Sequence, residues 1–172
     1  MDLQALANLA QVVSALAVVA AIVFGLIQVR QFQMQRRDSA AAELVRSFLD
    51  AQFAQALRVI DALPNNAKAE QLRAGGAAME EAALYFAVRF ETIGLLVFRG
   101  NIPLSLVSEL IGGIAIDLWS RVHDWVTVVR KEQSREHFCE WFQWLAEQLH
   151  KIGRHAQPPA FVQHRDWSPP CG

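Results

Sequence analysis

Between Asp2 and Arg30 the chain carries no charged side chain, and from Val12 to Ile27 nearly every position is apolar. Polarity returns in the stretch GLIQVRQFQMQRR, Gly25 to Arg37, where glutamine and arginine recur at almost every second position. Downstream, apolar residues return at three- and four-residue spacing and no segment alternates convincingly with period two. The pattern therefore predicts helices throughout and no strand.

The first helix should run from the N-terminus past Arg37, with Ser39 as a break or N-cap unless the helix continues through it. Leu44, Val45, Phe48, Leu49, Phe53, Ala56, Leu57, Ile60 and Leu63 then form one apolar face. A turn is expected at Pro64 to Asn66, and a short helix from about Ala67 to the breaker Gly75-Gly76. A long helix from about Ala78 to Phe98 should close on Arg99 and Gly100. Pro103 opens the next helix, with Leu106, Leu110, Ile114, Leu118, Trp125 and Val129 as its core stripe. A last helix buries Phe138, Phe142, Leu145 and Leu149 and ends at Gly153. The expected fold is all-α: a transmembrane helix and stalk over 1–38, a cytoplasmic helical bundle over 39–153, and a Pro-containing tail over 154–172 that has no period of its own.

Composition agrees with one span on one helical body. Of 172 residues, 53% are hydrophobic, and the mean hydropathy is +0.17, too low for a multi-span protein. The net charge of −1 gives no reason to expect nucleic acid as a partner. Cys139 and Cys171 make no metal-ligand spacing and no disulfide framework. Nor do the five histidines form a metal site, and no cofactor motif is present.

With its flanks the apolar run reaches the roughly 20 residues needed to cross about 30 Å of hydrocarbon. A cleavable leader would start with basic residues, whereas this N-terminus carries Asp2. Arg30, Arg36 and Arg37 all follow the run, which puts the bundle on the cytoplasmic side of a bacterial inner membrane and the N-terminus outside. Ala17, Ala21 and Gly25 repeat every four residues, a small ridge along which helices approach closely in lipid. Gln4, Asn8, Gln11 and Ser14 make a polar stripe, and Gln28, Gln31 and Gln35 lie on one face past the ridge. Amides facing lipid are costly, so these positions favour neighbouring copies or a wet opening, although Gln4 and Asn8 also fit the headgroup region. The long helix containing Arg89 and Glu91 is expected in the bundle, because each charge at a membrane helix centre costs roughly 2.5–3.5 kcal/mol.

Two clusters carry candidate chemistry. Leu84, Val88, Glu91, Leu95 and Phe98 share a helical face, which puts a carboxylate within an apolar stripe. Such a carboxylate must be paired or neutralised. Arg121, Arg130, His123 and the Trp119 indole are its expected partners, and Gly94 would let another helix come close. The main reading is a buried polar clamp of Glu91, Arg121 and Arg130; a ligand or switch carboxylate is the alternative. The second cluster is RKEQSREH, Arg130 to His137, which fits the loose Arg-x(4–6)-His pattern of the all-helical HEPN ribonucleases. There Arg and His from two protomers line a cleft for RNA, where the Arg could stabilise phosphorane-like charge while the His moves a proton. That spacing arises about once by chance in a chain of this composition, so a solvated helix junction is the plainer reading. Trp119, Trp125, Trp141 and Trp144 read as core or interface residues, with Trp167 docking the tail onto the body or a neighbouring subunit.

The layout, with FETIGLLVFRGNIP, LWSRVHDWVTVVR and WFQWL in the body, resembles small bacterial single-span membrane proteins of unknown function. It also looks like the accessory membrane proteins of type VI-B CRISPR systems, which join one span to a divergent HEPN-like body. That resemblance implies homo-oligomeric pore formation in antiviral defence, with Arg130 and His137 matching the divergent pair and Lys131 departing from the Asn often found there. Three functions are thus expected in competition. One is a non-enzymatic pore-like assembly whose partners are itself and the bilayer. The others are a membrane-tethered HEPN-type ribonuclease and a scaffold or signalling adaptor that binds a protein through its tail.

Overall fold

A computed structural model describes residues 3–48, 50–153, 158 and 160–168, and part of the side chains of the first helix. Its helices are α1 (Leu3–Phe48), α2 (Ala51–Ile60), α3 (Ala69–Ala74), α4 (Ala77–Phe98), α5 (Leu104–Glu132), α6 (Glu140–Ile152) and α7 (Ala160–Gln163). Among the described residues there is no strand, so the all-α expectation holds. The chain divides into two compact units, Met1–Ala42 and Glu43–Gly172.

In the first unit, every described side chain from Leu16 to Phe32 is exposed apart from the half-buried Gly25. Large apolar groups point outward on all sides: Phe24 is 61% exposed and Leu26 63%. Among the described residues, no helix is long and apolar enough to cross a membrane. Ser39 neither breaks nor caps anything; it lies inside α1.

In the second unit the break falls at Asp50. Its extended backbone and its carboxylate, which accepts from the Gln52 N–H at 3.0 Å, start α2 afresh. Phe53, Ala56, Ile60 and Leu63 from the predicted face are buried, while Leu57 is half-buried. The side chains of Leu44, Val45 and Leu49 lie outside the described residues. The turn after Leu63 passes through Asn66 at φ 59°, and the Asn66 N–H donates to the Ser120 carbonyl at 2.9 Å. Arg121 holds the same turn through the Leu63 carbonyl at 3.1 Å and Asp61 at 3.0 Å. Asp124 caps α3 from across the bundle, accepting from the Ala69 N–H at 2.9 Å, and this bond keeps its carboxyl below the usual range.

Helix α4 ends as predicted, with Arg99 as the C-cap and Gly100 at φ 71°, a backbone state that a side chain would strain. Its buried face is Met79, Ala82, Ala83, Phe86, Ala87, Phe90, Ile93, Gly94 and Val97. The predicted stripe lies elsewhere: Leu84, Val88 and Phe98 are exposed, and Glu91 and Leu95 are half-buried. This helix is apolar almost all round, so spacing alone selects no face. Helix α5 departs in the same way over its first half. Val107, Ser108, Ile111, Gly112 and Ala115 face the core, with Leu106 and Ile114 half-buried and Leu110 exposed, before Leu118, Trp125 and Val129 fall into the expected stripe. Leu149 of α6 packs over Gly112, where a Cβ would meet Leu149 Cδ2 at 3.6 Å, an ordinary contact.

Helix α6 packs on both α4 and α5, α2 packs on α4, and α3 on α5. Phe142, Leu145 and Leu149 are buried as expected, whereas Phe138 is half-buried in the preceding turn, edge-on to Trp125. In the tail, the short α7 and Trp167 are exposed, so within the second unit Trp167 does not dock onto the body.

Candidate functional site

The start of α6 is bonded to both α4 and α5. Cys139 precedes the helix in the left-handed conformation (φ 59°) and is buried, which pushes its thiol up to about 12. A buried thiol of that kind carries no nucleophilic chemistry at neutral pH. Two residues on, α6 passes so close to α4 that a Cβ on Gly94 would stand 2.2 Å from the Trp141 carbonyl oxygen. The expected role of Gly94 is therefore correct, and its neighbour is α6.

The partners expected for Glu91 are not the ones it has. One turn before Gly94, its Oε2 accepts from the Phe142 N–H at 2.9 Å, with the Trp141 N–H contributing as well. It thus takes up amides in the first turn of α6 that have no acceptor within their own helix. A carboxylate from another helix also lies favourably against the positive end of the α6 dipole. Of the expected partners, Arg130 adds only a weak electrostatic pull. Arg121 is engaged with Leu63, Asp61 and Asp117, and His123 Nδ1 donates to the Ser120 carbonyl at 2.9 Å. Trp119 instead packs edge-on against Phe142.

Burial raises the Glu91 pKa more than the α6 amides lower it, and Glu140 adds to the rise. The folded state therefore holds the Glu91 proton more tightly than the unfolded chain does. Stability from this source is fully present below the ordinary carboxylate range and is lost as pH rises through the raised folded value. The stability difference between the native chain and Glu91→Gln is accordingly expected to shift in favour of the variant between acid and neutral pH, read from denaturant midpoints. A difference that stays constant with pH, or runs the other way, contradicts this account.

The structure does not join Arg130 to His137. Arg130 donates Nε to the Phe138 carbonyl at 2.7 Å and a terminal nitrogen to Gln143 Oε1 at 2.8 Å, which ties down the α5–α6 connection. The His137 side chain is 86% exposed and pairs with Glu140 at 2.7 Å, and this bond raises its pKa. Within one chain each has its own partners.

Of the predicted oligomer-facing residues, Gln11, Gln28, Gln31 and Gln35 are exposed, as are Ala17 and Ala21, and a Cβ on Gly25 would meet nothing within 4 Å. The side chains of Gln4, Asn8 and Ser14 lie outside the described residues. Among the described residues no three His, Cys, Asp or Glu side chains are grouped to hold a metal ion.

One feature went unnoticed in the sequence. A cleft of about 550 Å³ lies between α5 and α6, walled by Trp119 and His123 on one helix and by His150 and Lys151 on the other. These residues are distant in sequence and belong to no motif, so only the packing of the two helices brings them together. One family model matches the chain, over residues 9–149, and is described as a domain of unknown function (DUF4760). No curated protein and no solved structure matches it.

Proposed function

The chain belongs to the DUF4760 family, and from that premise we propose that it is a non-enzymatic bacterial membrane protein that self-associates through α1 into a pore or channel-like assembly. The observation that carries this reading is the all-round exposure of the apolar side chains between Leu16 and Phe32. A single helix that shows Phe, Leu, Ile and Val on every side needs lipid or protein around it, because water does not tolerate an apolar surface of that extent. In sequence the apolar run reaches back to Val12, which brings it towards the length of a span. Arg30 marks its end on the cytoplasmic side, and the open ridge of Ala17, Ala21 and Gly25 offers a close-packing surface to a second copy. The exposed amides of Gln28, Gln31 and Gln35 then lie against neighbouring copies or a wet lumen.

The likeness to CRISPR accessory membrane proteins rests on layout alone, and the ribonuclease reading needs Arg130 of one copy to meet His137 of another. The exposed Phe161 and Trp167 leave a partner-binding tail as the second reading.

The full chain is expected in the membrane fraction, as a discrete oligomer in mild detergent, and to release dye from liposomes. Ala21→Ile with Gly25→Ile should dissociate the oligomer, and Gln11→Leu, Ser14→Leu, Gln28→Leu should reduce leakage while leaving it assembled. A monomer in mild detergent sinks the assembly. Unaltered leakage from the triple variant removes those three residues from any lumen.

A further inference from the structure

We propose that the cleft between α5 and α6 is a binding site for a small planar aromatic carboxylate. This goes beyond the membrane reading and does not depend on it.

The volume of about 550 Å³ falls within the range of small-ligand pockets. Its floor and one wall are apolar, formed by Ile116, Trp119 and Ala146. The Trp119 indole is half-buried and packed edge-on against Phe142 with ring centroids 5.0 Å apart, so it is a fixed surface for a flat ring.

The polar side of the cleft is prearranged around one atom. The Ser120 carbonyl oxygen accepts from the Asn66 N–H at 2.9 Å and from His123 Nδ1 at 2.9 Å. A carbonyl can only accept, so Nδ1 must carry the hydrogen, and this bond fixes the ring in the cleft wall. Both lining residues, Asn66 and His123, are thereby held in place before anything binds.

At the mouth, Lys151 offers a cationic partner to an anionic ligand. Lys151 and His150 stand at the end of α6, and neither has a side-chain partner among the described residues. Glu147, the one carboxylate in the lining, accepts from the Gln143 amide at 2.9 Å and keeps its charge, so an anionic group is confined to the Lys151 side of the mouth. A flat apolar body against Trp119 with an anionic group reaching Lys151 uses both halves of the cleft.

The test uses the full chain in detergent with 2-naphthoate as probe and its neutral amide as control, followed by saturation-transfer NMR and calorimetry. 2-Naphthoate is expected to bind with a dissociation constant of about 1 mM or tighter, and the amide at least about fivefold more weakly. Lys151→Glu alters an exposed position outside the core, so it should leave the fold intact. It should weaken 2-naphthoate at least about tenfold and leave the amide within about twofold. Absence of saturable 2-naphthoate binding overturns the proposal. So does equal binding of acid and amide, or an unchanged affinity in Lys151→Glu, since either makes the interaction mere partitioning of an apolar ring.

Discussion

Replacing Gly94 with alanine is expected to destabilise the bundle by about 3 kcal/mol or more, a large fraction of the stability of a domain this size. The added Cβ would stand 2.2 Å from the Trp141 carbonyl oxygen, 2.7 Å from its carbonyl carbon and 3.0 Å from its Cβ. The first two are backbone atoms, so no rotamer change relieves the clash. Helix α6 must move off α4, and that motion stretches the Glu91 bond to the Phe142 amide, one turn away. Ordinarily Gly to Ala inside a helix is favourable by roughly 1 kcal/mol. The predicted sign is the reverse, which separates a packing effect from a helix-propensity effect. Guanidinium unfolding of the full chain, followed by tryptophan fluorescence, reads it directly. A variant as stable as the native chain would falsify the close approach.

Phe142→Ala should cost about 3–5 kcal/mol. The ring is fully buried, stacked on Phe90 at 4.8 Å and edge-on to Trp119 at 5.0 Å, so it joins side chains of α4 and α5 from α6. Its neighbours are large rings held by further contacts, Phe86 with Phe90 and Phe53 with Phe86, and such a row collapses poorly into a cavity. Val88→Thr, at a position 61% exposed on the opposite side of α4, provides the comparison and should stay within about 0.5 kcal/mol. The same unfolding measurement checks both. A loss under about 1 kcal/mol for Phe142→Ala means that the three helices do not share one core.

The comparison between Phe142 and Val88 also shows where periodicity stops being informative. Helix ends were legible because their signals are local: Gly100 past Arg99, Pro103 before Leu104, Gly153 after α6. The faces of α4 and α5 were not, since both helices carry apolar residues on more than one side. Phe86, Phe90 and Gly94 won over Val88, Leu95 and Phe98 because a second helix needed the groove that Gly94 leaves. Asp50 was missed for another reason. Its side chain caps α2 with no glycine or proline nearby, whereas Ser39 resembles a cap but lies within a helix. At the candidate sites, the sequence showed that Glu91 needed a partner but could not show that backbone amides would serve. The cleft lined by Trp119 and His150 depends wholly on how α5 and α6 meet.

The packing of α6 also has a consequence in time. During synthesis α4 emerges first, and its Phe90, Ile93 and Val97 have no α6 to cover them until residues 140–152 have followed. Until then the nascent chain carries a helix whose apolar, aromatic face has no cover yet, and such surfaces recruit chaperones or other chains. The last helix of the bundle therefore completes the core and also ends the interval in which this protein is most exposed to misassembly.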